Sequence, residues 1–534
     1  MSHRDAGMAA ADLPLPTLLG DCRADAQEVS GSPIEDGRID LEVDGIQPEV
    51  LPNLPLTYKL LETPKAAREW MKTMQVSRPE VVRATFASVP LQKLGTALRT
   101  GPSGRNSYHL SFLATYFDEF WSHSWQGNAW QKILLLLILQ NGLPAIFTGH
   151  CGALLGFAVG AFDLWSGPTD LRVHSWALVL GAVFSFLTLT LWRSRKKVFF
   201  DQICIHQRDD LLKSEGILNM GAILRKSSTL LVLLDPTYVG RLWCTFEMAA
   251  WMKSHENSPG RFIVRPIIMG PISVTIFLFV LLGYGTAALL PDQVTSLWWP
   301  LFFLTLLLTV LTVHVLRGYH RSCCHVAEKL RSFKAQEAKC HCCSVGHMLD
   351  GRRLTCDRSL VFSCIRHWFG SVSNFDASVQ TALRCNLQKQ LGKYGLPYWW
   401  VIGMLSPCLW AELDFIAMDV RSESWQSLRA RMMGLLAWYF GSYPNLYVCV
   451  FMLSWVLRQK RACFVADLCV SFGGALLFML PCAFTWYSWS ACKPFHEAGC
   501  AVFLAAMVLL ALLIWSPSCT ERAKHSKGPT DSIV

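Results

Sequence analysis

"KVFFDQICIHQRDD", residues 197–210, decides how this chain is read. Its opening run of Val, Phe and Ile reads as a short buried strand, and it closes on an amide, acids and His206 in the manner of a polar loop. Directly before it, "VHSWALVLGAVFSFLTLTLW" at 173–192 has the length and apolarity of a lipid-crossing helix. The chain therefore leaves a membrane and at once begins a strand of a soluble-looking α/β unit.

The composition agrees with the membrane half of that statement. Of 534 residues, 52% are hydrophobic and 16% charged, with 21 Trp, an apolar excess too large for a water-exposed surface. Uncharged apolar runs recur at about 133–162, 173–192, 266–291, 293–316, 395–411, 432–457, 468–492 and 498–516. Most are near the roughly 20 residues that a helix needs to cross hydrocarbon, so eight spans are expected. Lys and Arg cluster in "RSRKK" (193–197), "RGYHR" (317–321), "RQKR" (458–461) and the C-terminal tail, which assigns these to the cytosol. An even span count then puts both termini there, although "ELDFIAMDVRSESWQSLRAR" would leave three arginines outside.

Residues 1–50 carry eleven acids against three arginines with scattered Pro and Gly, and read as a disordered acidic tail. The net charge of +10 thus resides in the remainder. Juxtamembrane Lys and Arg facing anionic lipid account for it without a nucleic-acid partner. The 20 cysteines fall largely in cytosolic or lipid-buried stretches and are expected as reduced thiols.

Between the spans, residues 198–268 alternate in type. "VFFDQICI" is strand-like, "SEGILNMGAILRKS" helix-like, "TLLVLLD" a buried strand, "VGRLWCTFEMAAWMKS" helix-like and "RFIVRPIIM" strand-like again. Ile217, Met220, Ile223 and Leu224 share one helical face. Apolar strands alternating with amphipathic helices predict a parallel sheet covered by helices.

The order "FFD", then "EGILNMGAILRKSSTLLVLLDPTYVGRLWCTFEMAAW", resembles the centre of TIR (Toll/interleukin-1 receptor) domains, most closely at Tyr238, Trp243, Cys244 and Glu247 in the Trp-Cys-x-x-Glu pattern. Upstream, "YFDEFWSHSW" supplies the family's first-strand signature through Asp118, Phe120, Ser122, His123 and Trp125. The resemblance implies a domain split in two, with its first strand and helix at about 116–140 and the rest resuming at 197, and it covers roughly 100 residues. A two-span hairpin leaves and re-enters on one face, so both halves can meet. The unit is expected to be truncated, because the chain enters the third span after "RFIVRPIIM".

Many TIR domains are NAD nucleosidases and others are adaptors that assemble with partner TIR domains. The resemblance carries the catalytic carboxylate to Glu247, where it would stabilise positive charge developing on ribose. It places Asp201, Gln202 and Arg208 in the loop bordering the nucleotide and Trp243 beside them, at the carboxyl ends of strands where parallel sheets bind ligands. The plainer alternatives are a surface or ion-paired Glu247 next to Arg241, and core roles for Trp243 and Cys244. His206 is read as a polar loop residue.

Two cysteine groups remain. "SCCH" (322–325) lies where palmitoylation occurs, directly after the fourth span. Cys340, Cys343, His347 and Cys356 form a C-x2-C-x3-H-x8-C set that would supply four tetrahedral zinc ligands, the rival being free thiols. Within the spans, His150, His314 and Asp467 are the ionisable groups that lipid penalises. The C-terminal "DSIV" fits the short pattern that PDZ domains add as a strand.

The expected architecture is an α-helical polytopic membrane protein of about eight spans with a truncated α/β parallel-sheet TIR-like cytosolic domain. It divides into 1–58 (acidic tail), 59–141 (first strand and helix), 142–192 (hairpin), 193–265 (rest of the TIR-like unit), 266–316 (hairpin), 317–394 (Cys-containing cytosolic loop), 395–516 (four spans) and 517–534 (tail). Two functions follow: cytosolic signalling by self-association or assembly with other TIR-like domains, with NAD nucleosidase activity as a branch of it, or a transporter or channel with a TIR-like regulatory layer. A transporter predicts paired broken helices or polar groups converging at the midplane.

Overall fold

A computed structural model describes residues 64–99, 107–164, 175–257, 260–289, 298–349, 352–353, 356–391, 393–422 and 425–516. The acidic tail and "DSIV" lie outside the described residues. The described chain is mostly helical around one sheet of six strands. These are β1 Arg83–Phe86, β2 Phe112–Leu113, β3 Glu119–His123, β4 Lys197–Phe199, β5 Thr229–Leu234 and β6 Arg261–Pro266, in the order β2-β1-β4-β3-β5-β6.

β4, β3, β5 and β6 run parallel, with Phe120 opposite Phe199 on one side and Leu230 on the other, and Val232 opposite Val264. All six residues of "TLLVLL" in β5 and all five of "EFWSH" in β3 are buried, as a sheet covered on both faces requires. β3, the first parallel strand in the chain, is flanked by the second and third. The carboxyl end of a strand at such a reversal of winding is where open parallel sheets bind ligands. β1 and β2, absent from the sequence expectation, add an antiparallel edge beside β4.

From β3 the chain enters α1, Ala129–Ala161, capped by Asn128 accepting from the Gln131 amide (3.1 Å). Its first turns bury Ile133, Leu135 and Leu136 in the sheet's own core, and the helix runs for 33 residues in all, carrying the chain outward. It is apolar on all sides, so no stripe distinguishes a sheet face from a lipid face. α2, Trp176–Leu191, packs back along it. A Cβ at Gly156 would stand 2.3 Å from the Trp176 carbonyl oxygen, so only glycine permits that approach.

Where the hairpin rejoins the sheet, Glu119 accepts from the Trp121 indole (2.8 Å), the Gln140 amide (2.9 Å) and the Lys196 ammonium (2.7 Å). Asn141 donates to the carbonyls of Leu189 and Trp192 at the end of α2. Strands far apart in sequence are thereby held in register by groups at the mouth of the hairpin.

α3, Leu242–Ser254, covers the sheet, and β6 passes directly into α4, Met269–Leu289. α5, Trp298–Arg331, carries "RGYHR" inside one continuous helix rather than in a loop, and Cys323 and Cys324 lie half-buried on it. α6, Asp357–Phe369, packs on α3 and on the helix Pro64–Thr73. α7, Val372–Leu391, lies along β6. There the Gln390 side chain accepts from the Val264 amide (2.9 Å) and donates to the Phe262 carbonyl (2.5 Å), standing in for the strand that would otherwise pair with this edge.

Among the described residues, five helices are long and apolar enough to cross a membrane: α1, α4, α5, α8 (Phe464–Cys492) and α9 (His496–Trp515). A sixth arises if Tyr398–Met404 and Ser406–Arg421, bent by 53° next to Pro407, count as one span. The remaining expected runs are also helical, but shorter or interrupted. α2 has 16 helical residues and reaches about 24 Å, less than a full ~30 Å hydrocarbon core, yet it packs back along α1 and returns the chain to the sheet. The 432–457 run lies in a segment that is helical from Trp425 to Val456, with a π-helical turn at Trp438–Ser442 inside it. The 395–411 run extends to Arg421 and breaks in its middle.

Candidate functional site

The residues that carry the sequence signature converge from both sides of the hairpin. Ser122 of β3 donates a short hydrogen bond to Glu247 Oε2 of α3, and its oxygen lies 2.5 Å from the Tyr238 hydroxyl. In that hydroxyl–hydroxyl hydrogen bond either oxygen can donate. Glu247 is 8% exposed, and Ser122 and Tyr238 are fully buried. Burial pushes the Glu247 carboxyl up to about 8; the Ser122 hydrogen bond opposes this and the nearby Asp201 charge adds to it. Burial thus favours the neutral form of Glu247. Tyr238 and Cys244 are likewise held in their neutral forms by burial.

A second cluster sits at the carboxyl ends of β3, β4 and β5. Asp201 accepts from the Trp125 indole (2.6 Å), and its other oxygen lies 3.9 Å from His123 Nε2. His123 is stacked on Phe200, and its pKa is lowered by burial despite Asp201. Behind them Lys132 is buried and donates to the Ser124 carbonyl, while Thr237 bonds both Ser124 Oγ (2.7 Å) and Asp235. A Cβ on Gly127 would meet Asp235 Oδ2 at 2.2 Å, so a larger residue there would displace the Asp235 carboxylate.

Gln202 follows Asp201 in the first turn after β4, its amide bonded to Asp201 Oδ1 (2.8 Å). Arg208 is exposed. Trp243 turns away from the strand ends: it packs edge-on against Phe246 and donates to Asp357 Oδ2 (3.3 Å). Asp201 and Glu247 therefore belong to adjoining clusters at the strand ends, whereas Trp243 belongs to the contact with the Cys-rich segment. Lys132 and Asp235 escaped the sequence reading, since a lysine opening an apolar helix reads as a membrane-edge charge and an aspartate after a strand as a turn residue.

In the Cys-rich segment, Cys343, His347 and Cys356 come together as expected, but the fourth group is Cys342. Cys340 forms a separate group with Cys342 (Sγ to Sγ 3.0 Å) and Asp357. Regular C-x2-C spacing is not what selects the fourth partner. Cys342 and Cys343 lie in one helical turn, His341–Ser344, and positive φ at Gly346 and His347 brings the imidazole back onto it.

Among the apolar helices, Arg317 is fully buried and bonds Asp467 Oδ1 (2.7 Å), Ser471 and the carbonyls of Leu457, Gln459 and Asp467. His314 bonds Ser471 (3.1 Å), and His150 bonds the Ile146 carbonyl. A cavity of about 1280 Å³ opens between these helices, lined by Glu412, Arg431, Tyr284, Tyr443 and several tryptophans. Comparison with known proteins finds no matching family model, no similar curated protein and no similar solved structure.

Proposed function

We propose that this chain is a multi-pass membrane protein, with both termini cytosolic, whose α/β unit is a TIR-like signalling domain that acts by assembly with itself or with other TIR-like domains. The observation that carries the choice of assembly over NAD hydrolysis is the state of Glu247. A carboxyl group sealed beneath the sheet by Ser122 and Tyr238, and held toward its neutral form by burial, offers little negative charge to a ribosyl cation. Parallel strands in the order second-first-third-fourth, and the short link from β3 into the continuous helix α1, support a unit mechanically joined to its spans.

The test measures nicotinamide release from NAD by the full chain in detergent, beside its self-association by light scattering. Assembly without release supports the proposal. Catalytic release that disappears in Glu247→Gln, with folding intact, overturns it in favour of a membrane-tethered nucleosidase.

The transporter or channel reading is favoured by a different observation, the cavity of about 1280 Å³ next to a π-helical turn and a bent helix pair. Its check is solute flux in proteoliposomes, with Arg431→Ala as the cavity variant.

A further inference from the structure

We propose that Cys342, Cys343, His347 and Cys356 hold one structural Zn²⁺ that clamps the Cys-rich segment onto the first turn of α3. Their donor atoms all lie within 4.8 Å of one another. Tetrahedral zinc with Zn–S of about 2.3 Å and Zn–N of about 2.0–2.1 Å requires ligand edges of about 3.8 Å between sulfurs and about 3.6 Å between sulfur and nitrogen. The observed edges are 3.8 Å for Cys343 Sγ to Cys356 Sγ and 3.5 Å for Cys343 Sγ to His347 Nε2. Two of the six edges thus already match a zinc tetrahedron, and the other donor pairs, three thiols and an imidazole from two segments, lie close enough to complete it.

The surroundings suit a thiolate cluster. The Asp357 amide donates to Cys342 Sγ (3.3 Å), the kind of outer contact that orients a ligand and stabilises its charge. Four protein donors leave no open position, which makes the ion structural rather than catalytic. Cys340 stands outside the tetrahedron as a neighbour of Cys342, which separates this site from the set expected from spacing.

The clamp has a defined target. Lys339 pairs with the strand-like residue before α3, its amide donating to the Gly240 carbonyl (2.8 Å) and its carbonyl accepting from the Leu242 amide (3.3 Å). Asp357, next to the ligand Cys356, accepts from Trp243. Zinc joins these two attachment points, and α3 is the helix that carries Glu247.

The experiment uses the full chain purified in detergent without chelators. Elemental analysis is expected to return about one zinc per chain, retained in Cys340→Ala and lost in Cys342→Ala and Cys356→Ala. Wild type is also alkylated before and after treatment with a chelator, with each cysteine read by mass spectrometry. Chelation is expected to release zinc and expose Cys342, Cys343 and Cys356 to alkylation, and this arm holds even where a variant does not fold. A wild type without stoichiometric zinc, a Cys343–Cys356 disulfide, alkylation indifferent to the chelator, or loss of zinc in folded Cys340→Ala but not in Cys342→Ala would each overturn the assignment.

Discussion

Replacing Glu247 with Gln should change how stability depends on pH more than it changes stability at neutrality. The carboxyl group moves from an ordinary value of 4.5 in the unfolded chain to about 8 in the fold, because burial disfavours its charge. The folded state therefore binds the proton more tightly. Stabilisation from this group is fully present below pH 4.5, declines as the unfolded chain ionises first, and is lost once pH passes about 8. At about 1.4 kcal/mol per pH unit, the whole window is worth about 5 kcal/mol. For a cooperative unit of roughly 200 residues, where 1 kcal/mol moves Tm by about 2–4 °C, the wild type should lose on the order of 10 °C between about pH 4.5 and about pH 9 beyond what the variant loses. Glutamine keeps the shape and an oxygen to accept from Ser122 but cannot ionise, so its profile lacks that component. The assay is a thermal shift of both proteins in detergent across that range. Parallel profiles would refute the reasoning, showing that the carboxyl group reaches water or a cation that the buried geometry denies it.

Two further perturbations follow from the structure. Gln390→Ala removes the side chain that satisfies the Val264 amide and the Phe262 carbonyl, so it should cost about 1–3 kcal/mol and expose the β6 edge, read as a lower Tm and increased self-association by light scattering. Arg317→Met leaves Asp467 with Arg321 at 3.3 Å as its remaining strong partner and removes five hydrogen bonds. A loss of about 3–5 kcal/mol is expected from breaking a buried pair, whereas the double change Arg317→Met with Asp467→Leu should recover much of it. Thermal stability of the single and double variants checks this, and equal losses in both would contradict a charge-pair origin.

How much was legible differs from element to element. β5 announced itself as "TLLVLL" between a helix and a turn, and it is buried throughout. β1 did not, because four residues, "RATF", carry too little periodicity to stand out from a loop. The run 432–457 read as one apolar helix and is helical throughout, whereas the π-turn at Trp438–Ser442 was not legible, because hydropathy averages over a window and is blind to one extra residue per turn. In the Cys/His cluster, regular C-x2-C spacing pointed to Cys340, while the fold gathers Cys342 with Cys343, His347 and Cys356, the backbone turning back at Gly346 and His347.

Composition and local pattern by themselves determined that much of the chain is apolar enough to face lipid and that strands and helices alternate over 198–268. These are properties of neighbouring residues, set by burial period and residue type. Only the tertiary structure decided that β3 pairs with β4 and β5 across a hairpin, that Glu247 is sealed where burial favours its neutral form, that Gln390 closes the open edge, and that Lys132 and Asp235 share the strand ends. Each of these depends on the solvation a side chain retains after segments distant in sequence have packed around it, a quantity that local pattern does not contain.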